Sequence, residues 1–152
     1  MASYEILNGA NLAYIGDAYF ELRIRKYLID NKITKSNDLR KLSIKYVSAH
    51  AHQQIIDGIF DELTPEEKSI YNRGRNSASS SYRKNVVKSE YQTSSGFEAI
   101  IGFHYLMQNN ERLEELIQMA INQVRLGEID ESKNNHLREK SSQRSNQSQK
   151  ED

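Results

Sequence analysis

Apolar residues recur every three to four positions along most of this chain, which is the spacing that predicts amphipathic α-helices. The first helix is expected over about residues 8–30, a long second helix over 39–60 and a last one over 111–125. The apolar face of the first helix consists of Leu12, Ile15, Ala18, Tyr19 and Leu22. No stretch has the convincing alternation of a strand, and no internal repeat is found. The pattern therefore predicts an all-α fold.

A capping box predicts a helix start near the middle of the chain. Thr64 is followed by Pro65 and, three positions further on, by Glu67. The threonine side chain and the glutamate side chain can each accept a hydrogen bond from the other's backbone N–H, and proline suits the first helical position. We expect this helix to end near Asn72 and residues 73–95 to be the least regular part of the core.

The composition changes at the end of the last predicted helix. Gly127 is a favourable residue for a helix C-terminus. Residues 128–152 carry almost no apolar side chains and have mixed charge. Such a segment cannot bury enough apolar surface to offset the entropy lost on ordering. The sequence thus predicts one domain over residues 1–127, followed by a polar, disordered tail over 128–152.

Length and composition narrow the class of protein. The chain has 152 residues and no cysteine, which favours one domain and excludes disulfides and thiolate metal sites. The N-terminus does not have the pattern of a secretory signal, and no apolar run approaches the ~20 residues that span a bilayer. We therefore expect a cytoplasmic protein that makes no contact with a membrane.

Asp17 lies within the apolar run of the first helix, directly after Gly16 and among apolar neighbours. A carboxylate among apolar neighbours needs a cation, hydrogen-bond donors or a water-filled cleft. Gly16 has no side chain and so lets another group approach closely. This combination favours a metal-binding cleft. The alternatives are that Asp17 caps a helix or pairs with a structural arginine.

Glu98 is a second acidic residue in a nearly continuous apolar segment, GFEAIIGF, and Asn109 and Asn110 break the helix that this segment predicts. If the two helices pack together, Asp17 and Glu98 face one cleft and can hold Mg²⁺, which prefers oxygen ligands and retains several waters. The alternative is that Glu98 closes a capping box with Ser95 at the start of its helix.

Glu21 and the histidines have simpler interpretations. Glu21 precedes Arg25 by four residues, a spacing that favours an ion pair on one helix face. The alternatives are that Glu21 supports the Asp17 carboxylate or binds a metal through water. His50, His52 and His104 lack metal-ligand spacing, so we expect surface or hydrogen-bonded core positions for them. Because no His-Asp pair occurs, a metal-dependent nucleotide hydrolase of the His-Asp type is poorly supported.

Charge is segregated along the chain, although 21 basic and 21 acidic residues balance overall. Between positions 68 and 90, six basic residues stand against a single acid. Arginine binds phosphate bidentately, and the phosphate backbone dominates recognition of duplex RNA. A solvated loop is the alternative interpretation. The residues that we expect to contact RNA are Arg73, Arg75, Asn76, Arg83, Lys84 and Lys88.

Four stretches of the sequence, in this order, resemble the Mini-III group of the ribonuclease III family, which lacks a double-stranded-RNA-binding domain. They are LAYIGDAYFE, KYVSAHAHQQII, LTPEEKSIYNRGRN and FEAIIGFHYL. The first is similar to the signature helix of the family, and the last is similar to its second carboxylate helix. The resemblance covers about residues 7–124.

This resemblance implies a ribonuclease III-type endonuclease domain: an all-α homodimer that cleaves double-stranded RNA with Mg²⁺. Asp17 matches the signature aspartate and Glu98 the glutamate of the second helix, so both are implied to be catalytic metal ligands. Arg73, Arg75 and Asn76 match the basic loop motif. The resemblance further implies maturation of the paired 5′ and 3′ ends of a 23S ribosomal RNA precursor, aided by a ribosomal protein bound to that substrate.

The chain departs from the pattern of the family in two places. Ala13 and Ser95 stand where full-length ribonuclease III enzymes have two further carboxylates, a loss that the Mini-III group shares. In addition, SASSSYRKN follows the RGRN motif and lacks the usual proline. The missing carboxylates motivate a second hypothesis, in which a non-catalytic helical module of the same fold binds duplex RNA or assists assembly.

Overall fold

The computed structural model of the chain describes residues 7–78 and 87–148, with side chains as far as residue 145. A short 3₁₀ turn at Phe60–Glu62 lies among six α-helices. The helices are α1 (Gly9–Asp30), α2 (Ser36–Val47), α3 (Ala49–Ile59), α4 (Pro65–Asn76), α5 (Lys88–Leu106) and α6 (Asn110–Ser148). The described ranges contain no strand, and the predicted all-α fold is confirmed.

Helix α5 lies at the centre of the fold because its apolar residues occur on nearly every side. It packs against α1, α4 and α3, and α2 and α6 cover the outer faces of α1 and α3. The side chains of Phe97, Ile100 and Ile101 are almost completely buried. Burial of this kind typically stabilises a protein by about 1.5–3 kcal/mol for each large apolar side chain.

Two predicted helix starts agree with the structure. Asn8 caps α1, and its side chain accepts a hydrogen bond from the Asn11 N–H at 2.8 Å. At α4, Thr64 Oγ1 accepts from the Glu67 N–H at 3.1 Å, and Glu67 Oε1 accepts from the Thr64 N–H at 2.9 Å. The predicted capping box is therefore confirmed. Helix α4 continues to Asn76, beyond its predicted end.

The single helix predicted over residues 39–60 is wrong, because the structure has two helices there. Ser48 separates α2 from α3 with an extended backbone (φ −69°, ψ 157°), and its Oγ accepts from the Ala51 N–H at 3.1 Å. Serine is a preferred N-cap residue, and this local bond starts a new helix although the apolar periodicity continues.

The region expected to be irregular is shorter than predicted. Helix α4 extends through Asn76, and α5 already begins at Lys88, so residues 88–95 are helical. Residues 79–86, which include two of the basic residues singled out above, lie outside the described residues. The prediction of irregular structure over residues 73–95 is therefore wrong at both of its ends.

The last helix does not end at Gly127. Helix α6 continues to Ser148, although disorder was predicted for this segment. Residues 128–148 contain no proline and several Glu, Lys, Arg and Gln residues, all of which tolerate the helical conformation well. Their side chains are exposed from residue 129 to residue 145. The division of the chain at residue 127 stays a prediction. None of the described helices has the length and apolar character that crossing a membrane requires.

Candidate active-site cleft

Helices α1 and α5 cross with their backbones in direct contact. A Cβ atom built on Gly16 would overlap the backbone carbonyl of Glu98, and one built on Gly102 would overlap the carbonyl of Leu12. Two glycines, one on each helix, therefore permit the close approach. Because Asp17 directly follows Gly16, this crossing brings the Asp17 and Glu98 side chains to the same opening.

A cleft of about 240 Å³ lies at this opening, between α1, α4 and α5. Asp17 is exposed at the cleft, whereas the side chain of Glu98 is only 16% exposed. Small side chains form much of the remaining wall. The lining residues are Ala10, Ala13, Tyr14, Asp17, Gly74, Ser77, Ala78, Tyr91, Ser95 and Glu98.

The two carboxylates interact electrostatically. Burial and then the negative charge of Asp17 raise the pKa of Glu98 to about 8, while a hydrogen bond from Ser94 opposes this shift. Removing the proton from Glu98 therefore places two like charges in one partly desolvated cleft. A bound cation would relieve this repulsion.

The donor set at the cleft fits one class of metal ion. Across the described parts of the chain, no group of three or more His, Cys, Asp or Glu side chains is placed to hold a metal. The protein can therefore offer the two carboxylates of Asp17 and Glu98, with water completing the coordination. This arrangement suits Mg²⁺, which binds through one or two carboxylates, and does not suit a closed structural zinc site.

The capping-box interpretation of Glu98 is wrong. Helix α5 begins at Lys88, so Ser95 and Glu98 lie well inside it and their backbone N–H groups belong to the helix interior. Glu98 instead accepts a hydrogen bond from Ser94 Oγ at 2.8 Å. Ser95 and Ala13 both line the cleft. These are the two positions at which the chain lacks the further carboxylates of the family pattern.

Behind Glu98 lies a buried histidine that was not connected with the site from the sequence. His52 Nδ1 lies 2.6 Å from Ser94 Oγ and 3.6 Å from Glu98 Oε1. Burial lowers the pKa of His52 to about 3, so its ring is neutral at pH 7. Of the two positions expected for the histidines, surface or core, His52 occupies the core. It is separated from Ser94 by 42 positions, and no sequence pattern links the two.

Glu21, His50 and His104 do not line the cleft. Glu21 forms the predicted ion pair with Arg25 at 2.7 Å. His50 is exposed and contacts Glu90 with Nδ1 to Oε1 at 3.0 Å. His104 is buried, with Nε2 2.5 Å from Glu67 Oε2. The expected surface or core roles of these histidines agree with their positions.

The two arginines at the end of α4 are engaged with the protein itself. Arg73 is half-buried and donates to the backbone carbonyl of Leu7. Arg75 donates from Nη1 to the Tyr71 hydroxyl at 3.2 Å and lies 3.5 Å from Thr93 Oγ1. Arg73 therefore ties the end of α4 to the segment before α1, whereas Arg75 contacts Tyr71 of its own helix and Thr93 of α5.

The remaining predicted RNA-binding residues divide into two groups. Asn76 and Lys88 are exposed, at the end of α4 and the start of α5. Arg83 and Lys84 lie outside the described residues. Within the described residues, the basic side chains at these two helix ends are therefore Arg73 and Arg75 in α4 and Lys88 in α5.

The sequence is similar to those of known proteins over most of its length. Residues 10–109 match the family described as "Ribonuclease III domain". Similar proteins include the Mini-ribonuclease 3 of Enterococcus faecalis, which is 42% identical over 133 residues, covering 86% of this chain and 99% of that protein. The Mini-ribonuclease 3 of Streptococcus pneumoniae is 40% identical over 82% of this chain and 98% of its own length.

A solved structure is similar as well. The crystal structure of a protein from Fusobacterium nucleatum aligns with a TM-score of 0.70 at 31% sequence identity. The alignment covers 77% of this chain and 93% of that one. The similarity therefore extends over most of the helical domain.

Proposed function

Because the chain belongs to the ribonuclease III family and is an endoribonuclease, we propose that it is a Mg²⁺-dependent enzyme that cuts double-stranded RNA at the cleft between α1 and α5. One observation carries this proposal: Asp17 and Glu98, from two different helices, share the wall of that cleft. Two converging carboxylates form a site for a hard cation beside an open surface.

Asp17 and Glu98 have different parts in this proposal. Asp17 is exposed, so its carboxylate reaches solvent and an incoming phosphodiester, whereas the largely buried Glu98 forms the fixed inner side of the site. A bound Mg²⁺ would stabilise negative charge that develops on the scissile phosphate. Neither carboxylate needs to act as a nucleophile.

The part of the cleft wall at the end of α4 suits a nucleic-acid backbone. Gly74, Ser77 and Ala78 line the cleft at the end of α4, and their small side chains leave room for phosphate and ribose. Asn76 and Lys88 are exposed at the adjacent helix ends. We assign RNA contacts to this edge, with Arg73, Arg75, Arg83 and Lys84 as the further residues that the basic motif implies. Binding through phosphates weakens as salt rises.

We extend the proposal to a cytoplasmic homodimer that matures the paired ends of a 23S ribosomal RNA precursor, presented by a bound ribosomal protein. The resemblance of the four sequence motifs supports this assignment. Cutting both strands of a duplex also calls for two centres, and the described part of each chain supplies the cleft that holds Asp17 and Glu98. Sedimentation at micromolar concentration should show a dimer, and a monomer under those conditions would contradict this part of the proposal.

The experiment that tests the activity compares a defined RNA duplex with its single strand and with a DNA duplex of the same sequence. Wild type should cut only the RNA duplex, with Mg²⁺ present and not with a chelator. Asp17→Asn should bind the duplex but not cut it. Cleavage by Asp17→Asn at the wild-type rate, or equal cleavage of single-stranded RNA, would refute the proposal.

A further inference from the structure

The buried environment of Glu98 contains a chain of polar contacts that the proposed chemistry does not use. Ser94 Oγ donates to Glu98 Oε1 at 2.8 Å and also lies 2.6 Å from His52 Nδ1. Ser94 and His52 are almost completely buried. The opposite ring nitrogen of His52, Nε2, is buried and has no hydrogen-bond partner in the described structure.

These contacts determine where the protons lie. A serine hydroxyl has a single proton, and when Glu98 is ionised, as a cation ligand must be, that proton is donated to Glu98. Ser94 Oγ must therefore accept from His52, so that His52 carries its proton on Nδ1. The reverse tautomer would bury an N–H at Nε2 without an acceptor, which is less tolerable than an unused lone pair.

The ring of His52 is also held mechanically. Its centroid lies 5.3 Å from that of Phe20 and 5.0 Å from that of Phe97. These aromatic contacts come from α1 and α5, the two helices that carry Asp17 and Glu98. The ring therefore cannot rotate freely, and the direction of its Nδ1–H is fixed with respect to the cleft.

We propose that His52 and Ser94 are positioning residues, which hold the Glu98 carboxylate in its cation-binding orientation by a one-way chain of hydrogen bonds from His52 Nδ1–H through Ser94 Oγ–H to Glu98 Oε1. This inference rests on the proposed function, since Glu98 is the metal ligand of that proposal. A buried polar chain behind a ligand fixes its rotamer before the metal arrives. The unpartnered Nε2 is a cost to stability that a purely structural core would avoid by using an apolar residue.

The tautomer of His52 can be measured without any metal. Nitrogen-15 correlation spectra of the histidine rings in the full chain, recorded at alkaline pH where Glu98 is ionised, report which nitrogen is protonated, and His52→Leu identifies the signals of His52. We expect the neutral ring to carry its proton on Nδ1, the less common form of free histidine. A neutral ring protonated on Nε2 would overturn the proposal.

Metal binding tests the effect on Glu98. The probe is Mn²⁺, which shares the oxygen preference of Mg²⁺, with the free ion followed by electron paramagnetic resonance. Ser94→Ala should weaken Mn²⁺ binding by about 10-fold, the lower end of the range for loss of a group behind a ligand. Thr93→Val is the matched control, since it removes a buried hydroxyl at the adjacent position and should keep wild-type affinity.

The double variant shows whether His52 acts on Glu98 through Ser94 or whether His52 and Ser94 act independently. If His52 acts through Ser94, then His52→Leu should weaken Mn²⁺ binding in wild type but have no further effect in Ser94→Ala. Both variants should unfold cooperatively, with His52→Leu at least as stable as wild type because the unpartnered nitrogen is gone. Additive losses of affinity, or unchanged binding in Ser94→Ala, would overturn the proposal.

Failure of the proposed function would look different. In that case wild type would bind no Mn²⁺ at the cleft, or Asp17→Asn would bind it as tightly as wild type does. Either result would remove the metal site and this inference with it, whereas normal binding that responds to Asp17→Asn but not to Ser94→Ala would overturn the inference alone.

Discussion

Gly16 of α1 lies against the backbone carbonyl of Glu98 in α5, so closely that no Cβ atom fits between them. The residue that follows Gly16 is Asp17. The contact that lets the two central helices pack is therefore also the contact that brings the two carboxylates to one cleft. Packing and the site cannot be altered independently at this point.

Gly16→Ala should destabilise the protein. Its Cβ meets backbone rather than a movable side chain, so α1 and α5 must separate. Overpacking of this kind typically costs about 1–3 kcal/mol, and we expect the upper end because a carbonyl oxygen stands in the way. Urea unfolding measures the change, and a variant as stable as wild type would contradict the described crossing.

Gly127→Ala supplies the control for that experiment. A Cβ at Gly127 would meet the far end of the Gln54 side chain, which can move aside. Alanine also favours the helical conformation over glycine by about 1 kcal/mol. The free energy of unfolding should therefore stay constant or rise by up to about 1 kcal/mol. A loss as large as that of Gly16→Ala would show that replacing a helical glycine by alanine destabilises this protein at either position, and the loss at Gly16 would then not report on the contact between α1 and α5.

The sequence predicts the meeting of Asp17 and Glu98 at one cleft better than it predicts the bounds of the surrounding helices. Asp17 beside Gly16, and Glu98 in an apolar segment, are local patterns that can be recognised without knowledge of the packing. By contrast, the break at Ser48 depends on one capping bond that competes with a continuing apolar pattern. The hydrogen bonds that run from His52 in α3 through Ser94 to Glu98 in α5 cannot be inferred from residue spacing.

Glu67 forms a second polar centre, which stabilises the fold away from the cleft. It is buried and accepts hydrogen bonds from Arg112 on α6, from His104 on α5 and from the Thr64 N–H. Glu67→Gln should lower the free energy of unfolding by about 3 kcal/mol, because it breaks a buried ion pair on one side only. Denaturant unfolding at pH 7 measures this loss.

The same group predicts how stability depends on pH. Burial opposes ionisation of Glu67, but the hydrogen bonds from His104, Arg112 and Thr64 outweigh it and hold the pKa of Glu67 well below its usual range. A depressed carboxyl pKa stabilises the folded state above the unfolded pKa of about 4.3, and this contribution is lost as pH falls below that value. Acidification from pH 5 to pH 3 should therefore destabilise wild type more than Glu67→Gln, and equal losses would contradict this account.

Lys88 should contribute to RNA binding through phosphate alone. Lys88→Gln should weaken duplex RNA binding to a similar extent for every sequence and reduce the slope of log affinity against log salt by about 1. The matched control is Lys41→Gln, on the exposed face of α2, which does not line the cleft. Fluorescence anisotropy over a salt series measures both, and identical slopes for the two variants would remove Lys88 from the interface.

Arg75 should contribute to the stability of the fold. Its hydrogen bond to Tyr71 and its position 5.8 Å from the centroid of that ring tie the guanidinium to α4. Arg75→Gln should therefore lower the free energy of unfolding by about 1 kcal/mol. Urea unfolding of wild type and Arg75→Gln measures this loss. Unchanged stability in Arg75→Gln would contradict a structural role for this arginine.

The most direct measurement compares cleavage of duplex RNA by Asp17→Asn, Glu98→Gln and the double variant, with Mg²⁺ saturating for wild type. If both carboxylates hold one cation, each single change should lower the rate by on the order of 10³, and the double change should lower it little further. Wild-type cleavage by Glu98→Gln, or losses that multiply in the double variant, would contradict a single site shared by the two residues.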